Sequence, residues 1–310
     1  MNKNKLVLGT WAWGDNNSYF GNNYDEEHFK TVYQAARDND LNFWDTAYAY
    51  GAGSSEQILG DLIADTPREE LTISTKFTPQ MADNSANPIV TMLEGSLKRL
   101  GLDYVDYYWI HNNADIERWT PMIAPLVKSG KIKHIGVSNH NLKEINRVQE
   151  ILAKDNIKLD AVQNHFSLLD RTSEQAGILE YCQENNIKFF AYMVLEQGAL
   201  SGRYTSANPF PENSVRAQVY NHQLDELTSL VDELKSIGKK YGLSAAQTAI
   251  AWAVAKNTLP IIGATKAKHV EEAAKAIQVN LSKKEINKLE EVASRINANT
   301  IGSWEQDMRE

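Results

Sequence analysis

The sequence predicts an α/β fold, a (β/α)8 TIM barrel in a single domain covering residues 1–310. Three observations predict it. Eight short apolar runs alternate with amphipathic segments of helical period. The runs recur about every thirty residues through the seventh, which is the length of a βα unit. Most of them are almost continuously apolar, as expected of parallel strands that are covered on both faces.

The predicted strands are short and rich in β-branched and aromatic residues. Polar side chains follow several of them directly. In chain order the strands are predicted at 6–13, 41–46, 71–77, 105–111, 132–138, 159–164, 187–192 and 259–263.

Amphipathic segments between these runs predict the helices. They lie at 25–38, 55–64, 88–100, 121–128, 142–153, 173–185, 224–241 and 245–255. A capping box, with Ser or Thr three residues before Glu or Gln, marks four helix starts. The boxes are Ser54/Gln57, Thr172/Gln175, Ser244/Gln247 and Ser282/Glu285. The stretch 198–213 is rich in Gly, Ser, Asn and Pro and predicts a long functional loop.

Composition limits the class of protein. Hydrophobic residues make up 42% and charged residues 23%, a balance typical of globular enzymes, and the net charge of -8 disfavours nucleic acid as a partner. A single cysteine, Cys182, excludes an intramolecular disulfide and fits a reducing compartment. No apolar run has the length of a membrane span, so we expect a cytoplasmic protein with no membrane partner.

Two other site types are disfavoured by spacing. The histidines His134, His140 and His165 fall on separate βα units, and the chain has no H-E-x-x-H motif, so we expect no metal. Gly51 and Gly53 form a G-x-G, but the residues that follow do not complete a dinucleotide-binding G-x-G-x-x-G.

Polar residues at the carboxyl ends of the predicted strands are the candidates for chemistry, because barrel active sites form there. Asp45, Tyr50, Lys76 and His111 each have an ordinary structural explanation when taken alone. Together they form a device for proton delivery. An ammonium lowers the pKa of a nearby phenol from about 10, a carboxylate holds the ammonium, and a histidine bonds the substrate oxygen.

Seven motifs give the chain a close resemblance to the aldo-keto reductase family. They are LGTWAWG at 8–14, DTAYAYGAGSSE at 45–56, STKF at 74–77, WIHN at 109–112, GVSNH at 136–140, VQNHFSLLDR at 162–171 and LEQGALSGRY at 195–204. The resemblance implies reversible reduction of aldehydes or ketones by NADPH. Its catalytic set would be Asp45, Tyr50, Lys76 and His111, and Tyr50 rather than Tyr48 would be the acid because it directly precedes the glycine.

The same resemblance implies a set of cofactor contacts. Lys266 could meet a 2'-phosphate, but His269 stands where many members carry Arg or Gln and Ala273 where Asn is usual, so NAD stays possible beside NADP. The family's N-terminal β-hairpin is expected to be reduced or absent. The implied cofactor contacts are Thr10, Trp11, Asp45, Ser138, Asn139, Gln163, Tyr192, Leu195, Gln197, Gly198, Arg203, Gly263, Thr265, Lys266, His269 and Glu272.

The substrate is expected to be a small carbonyl compound in an apolar mouth. Trp13, Tyr50, Trp109 and His111 are the predicted contacts, with Phe20, Tyr24 and Trp304 as further candidates. Two other functions stay open. One is a cofactor-binding regulatory module similar to the potassium-channel β subunits, although those carry Asn at the position of His111. The other is a barrel enzyme that uses no nicotinamide. The sequence leaves the particular substrate and the oligomeric state undecided.

Overall fold

The structure is a computed structural model that describes residues 5–14, 20, 24–302 and 304–310. Eight parallel strands form a closed barrel in sequence order, and the last strand pairs with the first. The strands are β1 (Val7–Gly9), β2 (Phe43–Asp45), β3 (Thr72–Phe77), β4 (Val105–Ile110), β5 (Ile132–Ser138), β6 (Ala161–His165), β7 (Lys188–Tyr192) and β8 (Leu259–Gly263). The predicted (β/α)8 fold is therefore confirmed.

All eight predicted strands are present, and two match residue for residue. The largest difference is at the first, predicted over 6–13, where β1 ends at Gly9. The backbone N–H of Trp13 donates to the carbonyl of Thr10 at 2.9 Å, so the chain turns directly after the strand. The apolar residues beyond Gly9 thus belong to a turn that packs on the barrel.

Helices surround the barrel. They are α1 (Glu26–Asp38), α2 (Ser54–Ile63), α3 (Pro88–Leu100), α4 (Ile116–Lys128), α5 (Leu142–Ala153), α6 (Thr172–Gln175), α7 (Ile178–Glu184), α8 (Val215–Tyr220), α9 (Leu224–Lys239), α10 (Ala245–Ala255), α11 (Ala267–Ala276) and α12 (Lys283–Ala293). The segment predicted as one helix over 173–185 is two, because Gly177 adopts φ 76° between them. Helix α4 starts five residues before Pro121, where the prediction began it.

Two of the four predicted capping boxes are confirmed, at Ser244 and Ser282. The other two predictions are wrong. Ser54 directs its hydroxyl to the carbonyl of Gly14 at 3.2 Å, and Thr172 donates to Asp170 at 2.7 Å, so neither side chain caps a helix. A box at Asn141, which begins α5, was not predicted.

The barrel interior is filled by buried apolar side chains from several of the strands. Trp109 is fully buried there and packs against Phe190 with ring centroids 4.9 Å apart. Gly136, its neighbour on β5, makes room for the indole, because a Cβ at Gly136 would lie 2.1 Å from Trp109 Cε3. The polar strand ends therefore stand above a packed apolar floor.

Two expectations concern the chain ends and membranes. The predicted lack of an N-terminal hairpin falls on residues 1–4, which lie outside the described residues, so it stays a prediction. In the part of the chain that the structure describes, no helix has the length and apolar character needed to cross a membrane.

Candidate active site

Lys76 is the centre of a cluster of polar groups at the carboxyl ends of β2 and β3. Its ammonium donates to Asp45 Oδ2 at 2.5 Å, to the Thr46 carbonyl at 2.9 Å and to Tyr50 Oη at 3.0 Å. Asp45 is further held by the Ser74 hydroxyl at 2.5 Å. Lys76 and Asp45 are both buried. The structure therefore brings together three of the four predicted catalytic residues in one hydrogen-bonded chain.

A tight turn after β2 places Tyr50 over this cluster. Gly51 adopts φ 58°, and a Cβ there would lie 2.8 Å from the Gly14 carbonyl oxygen. Only glycine fits both requirements without strain. The glycine that identified Tyr50 in the sequence is thus the residue that lets the chain reverse toward the barrel mouth.

The protonation behaviour of Tyr50 and Lys76 differs from the expectation in one respect, the direction of the Tyr50 pKa shift. Burial raises the pKa of Tyr50, Lys76 lowers it by less, and the pKa ends above its ordinary value of 10. The prediction of a lowered phenol pKa is therefore wrong for the protein alone. Burial lowers the pKa of Lys76, but Asp45 and Tyr50 raise it by more. At neutral pH the site holds a protonated phenol beside a charged ammonium.

His111 completes the predicted set from the end of β4. Its ring centroid is 5.9 Å from that of Tyr50, and its Nδ1 is 2.9 Å from Thr78 Oγ1. Burial and the Lys76 charge lower the pKa of His111 to about 3. The imidazole is therefore neutral, with Nδ1 engaged by Thr78 and Nε2 without a hydrogen-bond partner among the described residues.

Tyr48 is held away from this cluster. The guanidinium carbon of Arg99 lies 4.8 Å from the centre of its ring, and the ring borders a surface groove with Met81 and Pro88. This placement supports the choice of Tyr50 as the acid.

Four of the predicted cofactor contacts line the mouth beside the catalytic cluster. Gln163 Nε2 donates to Asp45 Oδ1 at 3.3 Å, and Asn139 Nδ2 donates to the His111 carbonyl at 3.0 Å and to Ser138 Oγ at 3.2 Å. Tyr192, half-buried at the end of β7, bonds to Asn139 Oδ1. Amide and hydroxyl groups that can both donate and accept therefore surround one position next to Tyr50.

A second group of predicted contacts lies at the ends of β7 and β8. His269 Nδ1 is 3.2 Å from Thr265 Oγ1, and burial, Lys266 and, among other charges, Arg203 lower the pKa of His269. Arg203 therefore brings its charge from the loop after β7 to the start of α11. The remaining residues of this group lie on the same two segments of the chain: Leu195, Gln197 and Gly198 on the loop after β7, Gly263 as the last residue of β8, Lys266 directly before α11 and Glu272 on α11.

Three predicted contacts are instead packed inside the protein. Thr10 is buried and bonds Ser55 Oγ at 2.7 Å, and Trp13 stacks on Phe29 and donates its indole N–H to the Ala264 carbonyl at 2.7 Å. Trp109 lies in the barrel floor. These three side chains are fully buried by protein neighbours, a packing that the sequence did not predict, and their ligand contacts stay predictions.

Other aromatic rings surround Tyr50. Trp11 stacks on Tyr50 with centroids 6.0 Å apart, and Phe20 and Trp304 contact Trp11 edge to face at 5.0 and 5.6 Å. Tyr24 stacks on His28 at 4.1 Å instead. The apolar side of the mouth is therefore formed by Trp11, Phe20 and Trp304.

Sequence reasoning missed several residues of the site. Ser74 and Thr78 each lie two residues from Lys76 on the same strand face, a spacing that could have identified both. Glu305 bonds Tyr192 at 2.8 Å and lies 3.1 Å from His165, contacts that no local pattern indicates. No group of three or more His, Cys, Asp or Glu side chains in the described ranges is arranged to hold a metal ion. The expectation of a metal-free site stays a prediction.

The closed barrel, with a buried Asp–Lys–Tyr cluster and a polar mouth at the carboxyl ends of its strands, defines a barrel enzyme with a proton-transfer site. The model of the Aldo/keto reductase family matches residues 5–294. The chain belongs to this family. It is an NADP-dependent oxidoreductase that reduces carbonyl groups with NAD(P)H.

Individual relatives and solved structures support this assignment to the family. The chain is 31% identical over 297 residues to the aldo-keto reductase yakc [NADP(+)] of Schizosaccharomyces pombe, covering 90% of this chain and 85% of that one. The solved glycerol dehydrogenase of Gluconobacter oxydans superposes with a TM-score of 0.82 at 26% identity, over 96% of this chain and 94% of that one. An aldo-keto reductase of Klebsiella pneumoniae in complex with NADPH gives a TM-score of 0.72 at 26% identity, with 93% and 90% covered.

Proposed function

We propose that Tyr50 gives its proton to the carbonyl oxygen of the substrate. The observation that carries this role is the contact of Lys76 Nζ with Tyr50 Oη at 3.0 Å and with Asp45 Oδ2 at 2.5 Å. Since the phenol is protonated at neutral pH, it can act as an acid, and the ammonium stabilises the phenolate that is left. Asp45 keeps the ammonium charged and in place.

His111 takes the second position at the substrate oxygen. Because its pKa is about 3, the neutral ring can donate one hydrogen bond from Nε2 when Thr78 donates to Nδ1. Two donors, Tyr50 and His111, then converge on the oxygen where negative charge develops. This arrangement distinguishes the site from a regulatory module in which Asn stands at the position of His111.

The residues of the mouth fit a nicotinamide dinucleotide. When bound, NADPH supplies a hydride to the carbonyl carbon. Ser138, Asn139 and Gln163 offer donors and acceptors for its carboxamide, and the Tyr192 ring offers a stacking surface. At the other end, Gly263 has open space beside its Cα, and the Lys266 side chain does not cap α11, so the helix start and the Lys266 charge suit a phosphate.

The substrate side supports a carbonyl compound with an apolar remainder. Trp11, Phe20 and Trp304 form the aromatic side of the mouth, next to Tyr50. Relatives act on varied compounds, including one named L-glyceraldehyde 3-phosphate reductase and one named NADH-specific methylglyoxal reductase, both from Escherichia coli. We expect aryl and alkyl aldehydes to be reduced better than phosphorylated ones.

Two further properties belong to this proposal. A single domain is supported by the pairing of β8 with β1, which closes the barrel across the whole chain. A cytoplasmic location is supported by the lone Cys182, which is buried and whose pKa burial raises to about 12, as in a thiol that packs rather than reacts.

The test is a panel of carbonyl compounds with NADPH and, separately, NADH, followed by absorbance of the reduced nicotinamide. Apolar aldehydes should give the largest kcat/KM, with NADPH preferred. Equal or faster turnover of aldehyde phosphates would contradict the proposed substrate class. Tighter use of NADH would contradict the proposed role of Lys266.

A further inference from the structure

The C-terminal segment is attached to the nicotinamide side of the proposed site through Glu305. Glu305 Oε1 accepts from Tyr192 Oη at 2.8 Å, and its Oε2 accepts from the Gly302 N–H at 2.6 Å and lies 3.1 Å from His165 Nδ1. The side chain of Glu305 is only 2% exposed. A carboxylate this buried needs its donors, so the segment is held firmly at this point.

His165 extends this attachment into the barrel. It is the register neighbour of Tyr192 on β6, and its Nε2 is 2.8 Å from Glu196 Oε1 on the loop after β7. Because both ring nitrogens face carboxylate oxygens, His165 donates on both sides as an imidazolium. Glu196 also accepts from the hydroxyls of Ser167 and Tyr220. Glu305 is therefore one end of a buried chain of charged groups that continues through His165 to Glu196.

The Tyr192 hydroxyl has one proton and two acceptors. One is Asn139 Oδ1 and the other is Glu305 Oε1. A carboxylate is the stronger acceptor, since charge-assisted hydrogen bonds exceed neutral ones. When Tyr192 donates to Glu305, the side-chain oxygen of Asn139 becomes available to an amide N–H of the nicotinamide carboxamide.

We propose that Glu305 is a positioning residue for the cofactor. It fixes the Tyr192 ring at the nicotinamide position, and it accepts the Tyr192 hydrogen bond so that Asn139 can turn its oxygen to the carboxamide. This inference rests on the roles of Tyr192 and Asn139 in the proposed function.

The test measures NADPH binding without a carbonyl substrate, by quenching of tryptophan fluorescence. Glu305→Ala should raise the Kd for NADPH about tenfold, because one charge-assisted hydrogen bond is lost. Glu305→Gln keeps the side-chain volume and an acceptor oxygen, so its loss should be smaller. Asp307→Ala is the matched control: Asp307 belongs to the same segment but pairs with Arg309, and its Kd should stay within about twofold of the parent value.

A double-mutant cycle separates positioning from a general effect on the fold. If Glu305 acts through the hydroxyl, Glu305→Ala should add little to the Kd of Tyr192→Phe, which keeps the ring and lacks the hydroxyl. Thermal melts by circular dichroism identify any variant that fails to fold, and for such a variant Glu305→Gln takes its place in the cycle.

Three results would overturn the inference. If both Glu305 variants keep the parent Kd for NADPH while Tyr192→Ala binds NADPH more weakly, the inference about Glu305 is refuted and the proposed role of Tyr192 stands. An equal loss from Glu305→Ala in the parent and Tyr192→Phe backgrounds would show that Glu305 does not act through the hydroxyl. Unchanged binding in Tyr192→Ala would remove Tyr192 from the nicotinamide position, and the proposed cofactor contact would fail with it.

Discussion

Tyr50 and Lys76 illustrate how far one contact can set a chemical role. Burial makes the phenol a weaker acid than in water, and only the ammonium at 3.0 Å opposes that effect. The phenol therefore keeps its proton until a substrate oxygen that gains negative charge takes it. Removing the Tyr50 hydroxyl should slow proton transfer without changing the fold, because the buried Lys76–Asp45 pair stays intact.

Tyr50→Phe should lower kcat about 10²- to 10⁴-fold, the usual contribution of general acid catalysis, while the Kd for NADPH stays close to the parent value. Stopped assays with saturating NADPH measure kcat, and fluorescence titration measures the Kd for NADPH. Tyr48→Phe is the matched control, because its ring packs beside Arg99. Turnover by Tyr50→Phe within about threefold of the parent would exclude Tyr50 as the acid.

His140 gives a pH dependence of stability whose sign follows from its surroundings. It is fully buried, and its Nδ1 donates to the Ser138 carbonyl at 2.8 Å, while its Nε2 has no partner among the described residues. Burial lowers the pKa of His140 to about 4, although the Ser138 carbonyl and Glu144 oppose this. The unfolded chain, with a pKa near 6.5, therefore binds more protons between pH 6.5 and 4.

The free energy of unfolding should consequently fall as the pH is lowered through this window, with His140 contributing about 2 kcal/mol of loss between pH 7 and 5. Urea unfolding at both pH values measures the loss in the parent and in His140→Gln, which cannot gain the proton. The variant should lose less stability than the parent over the same interval. An identical loss in the two proteins would show that His140 keeps an ordinary pKa.

At the scale of the elements, β4 and β5 depend on one glycine. Gly136→Ala would place a methyl group 2.1 Å from the Trp109 ring, inside a closed barrel whose strands cannot separate. We expect a loss of at least about 1–3 kcal/mol in the free energy of unfolding, the usual cost of overpacking a core. Chemical denaturation of the purified variant measures this loss.

The control is Gly95→Ala on α3. Its Cβ would meet only the end of the Arg99 side chain, at 3.3 Å, and alanine favours a helix over glycine by roughly 0.5–1 kcal/mol. Gly95→Ala should thus be neutral or stabilising. A Gly136→Ala protein as stable as the parent would mean that Trp109 moves freely in the barrel floor.

The elements also show what the sequence could and could not predict. Apolar runs identified all eight strands, because most strand residues are buried and the pattern of each run is local. Helix starts were less predictable where a tertiary contact, rather than the local sequence, decides the hydrogen-bond partner of the side chain. Ser54 has the residue spacing of a capping box, yet the Gly14 carbonyl, forty residues away, takes its hydroxyl.

The same distinction applies to the site. Asp45, Lys76 and His111 lie at the carboxyl ends of β2, β3 and β4, and Tyr50 lies on the turn after β2, so the barrel topology brings them together. Glu305 reaches His165 across 140 residues of chain, and no periodicity or motif encodes such a contact. The full burial of Trp13 and Trp109 was not predicted for a related reason, since aromatic type does not reveal which face of a turn or strand is covered.

For the whole molecule we predict carbonyl reduction that withstands chelation. The purified enzyme should oxidise NADPH in the presence of an activated aldehyde at the same rate with and without excess EDTA. The reason is that Tyr50 and His111 supply two hydrogen-bond donors for the substrate oxygen, the task that a Lewis acid performs in metal-dependent reductases. Absorbance of the reduced nicotinamide measures the rate. Loss of activity on chelation, restored by a divalent cation, would refute this prediction.

The pairing of β8 with β1 has a consequence for biosynthesis. All four proton-handling groups are encoded within the first 111 residues, but β8 begins only at Leu259. A nascent chain whose β8 has not yet emerged from the ribosome already contains Asp45, Tyr50, Lys76 and His111. Its sheet has two unpaired edges, on β1 and β7, and it lacks the residues after β8 that are proposed to hold the cofactor phosphate. We expect such an intermediate to be inactive and prone to aggregation. We therefore expect activity to appear only once β8 has paired with β1, in a single late step.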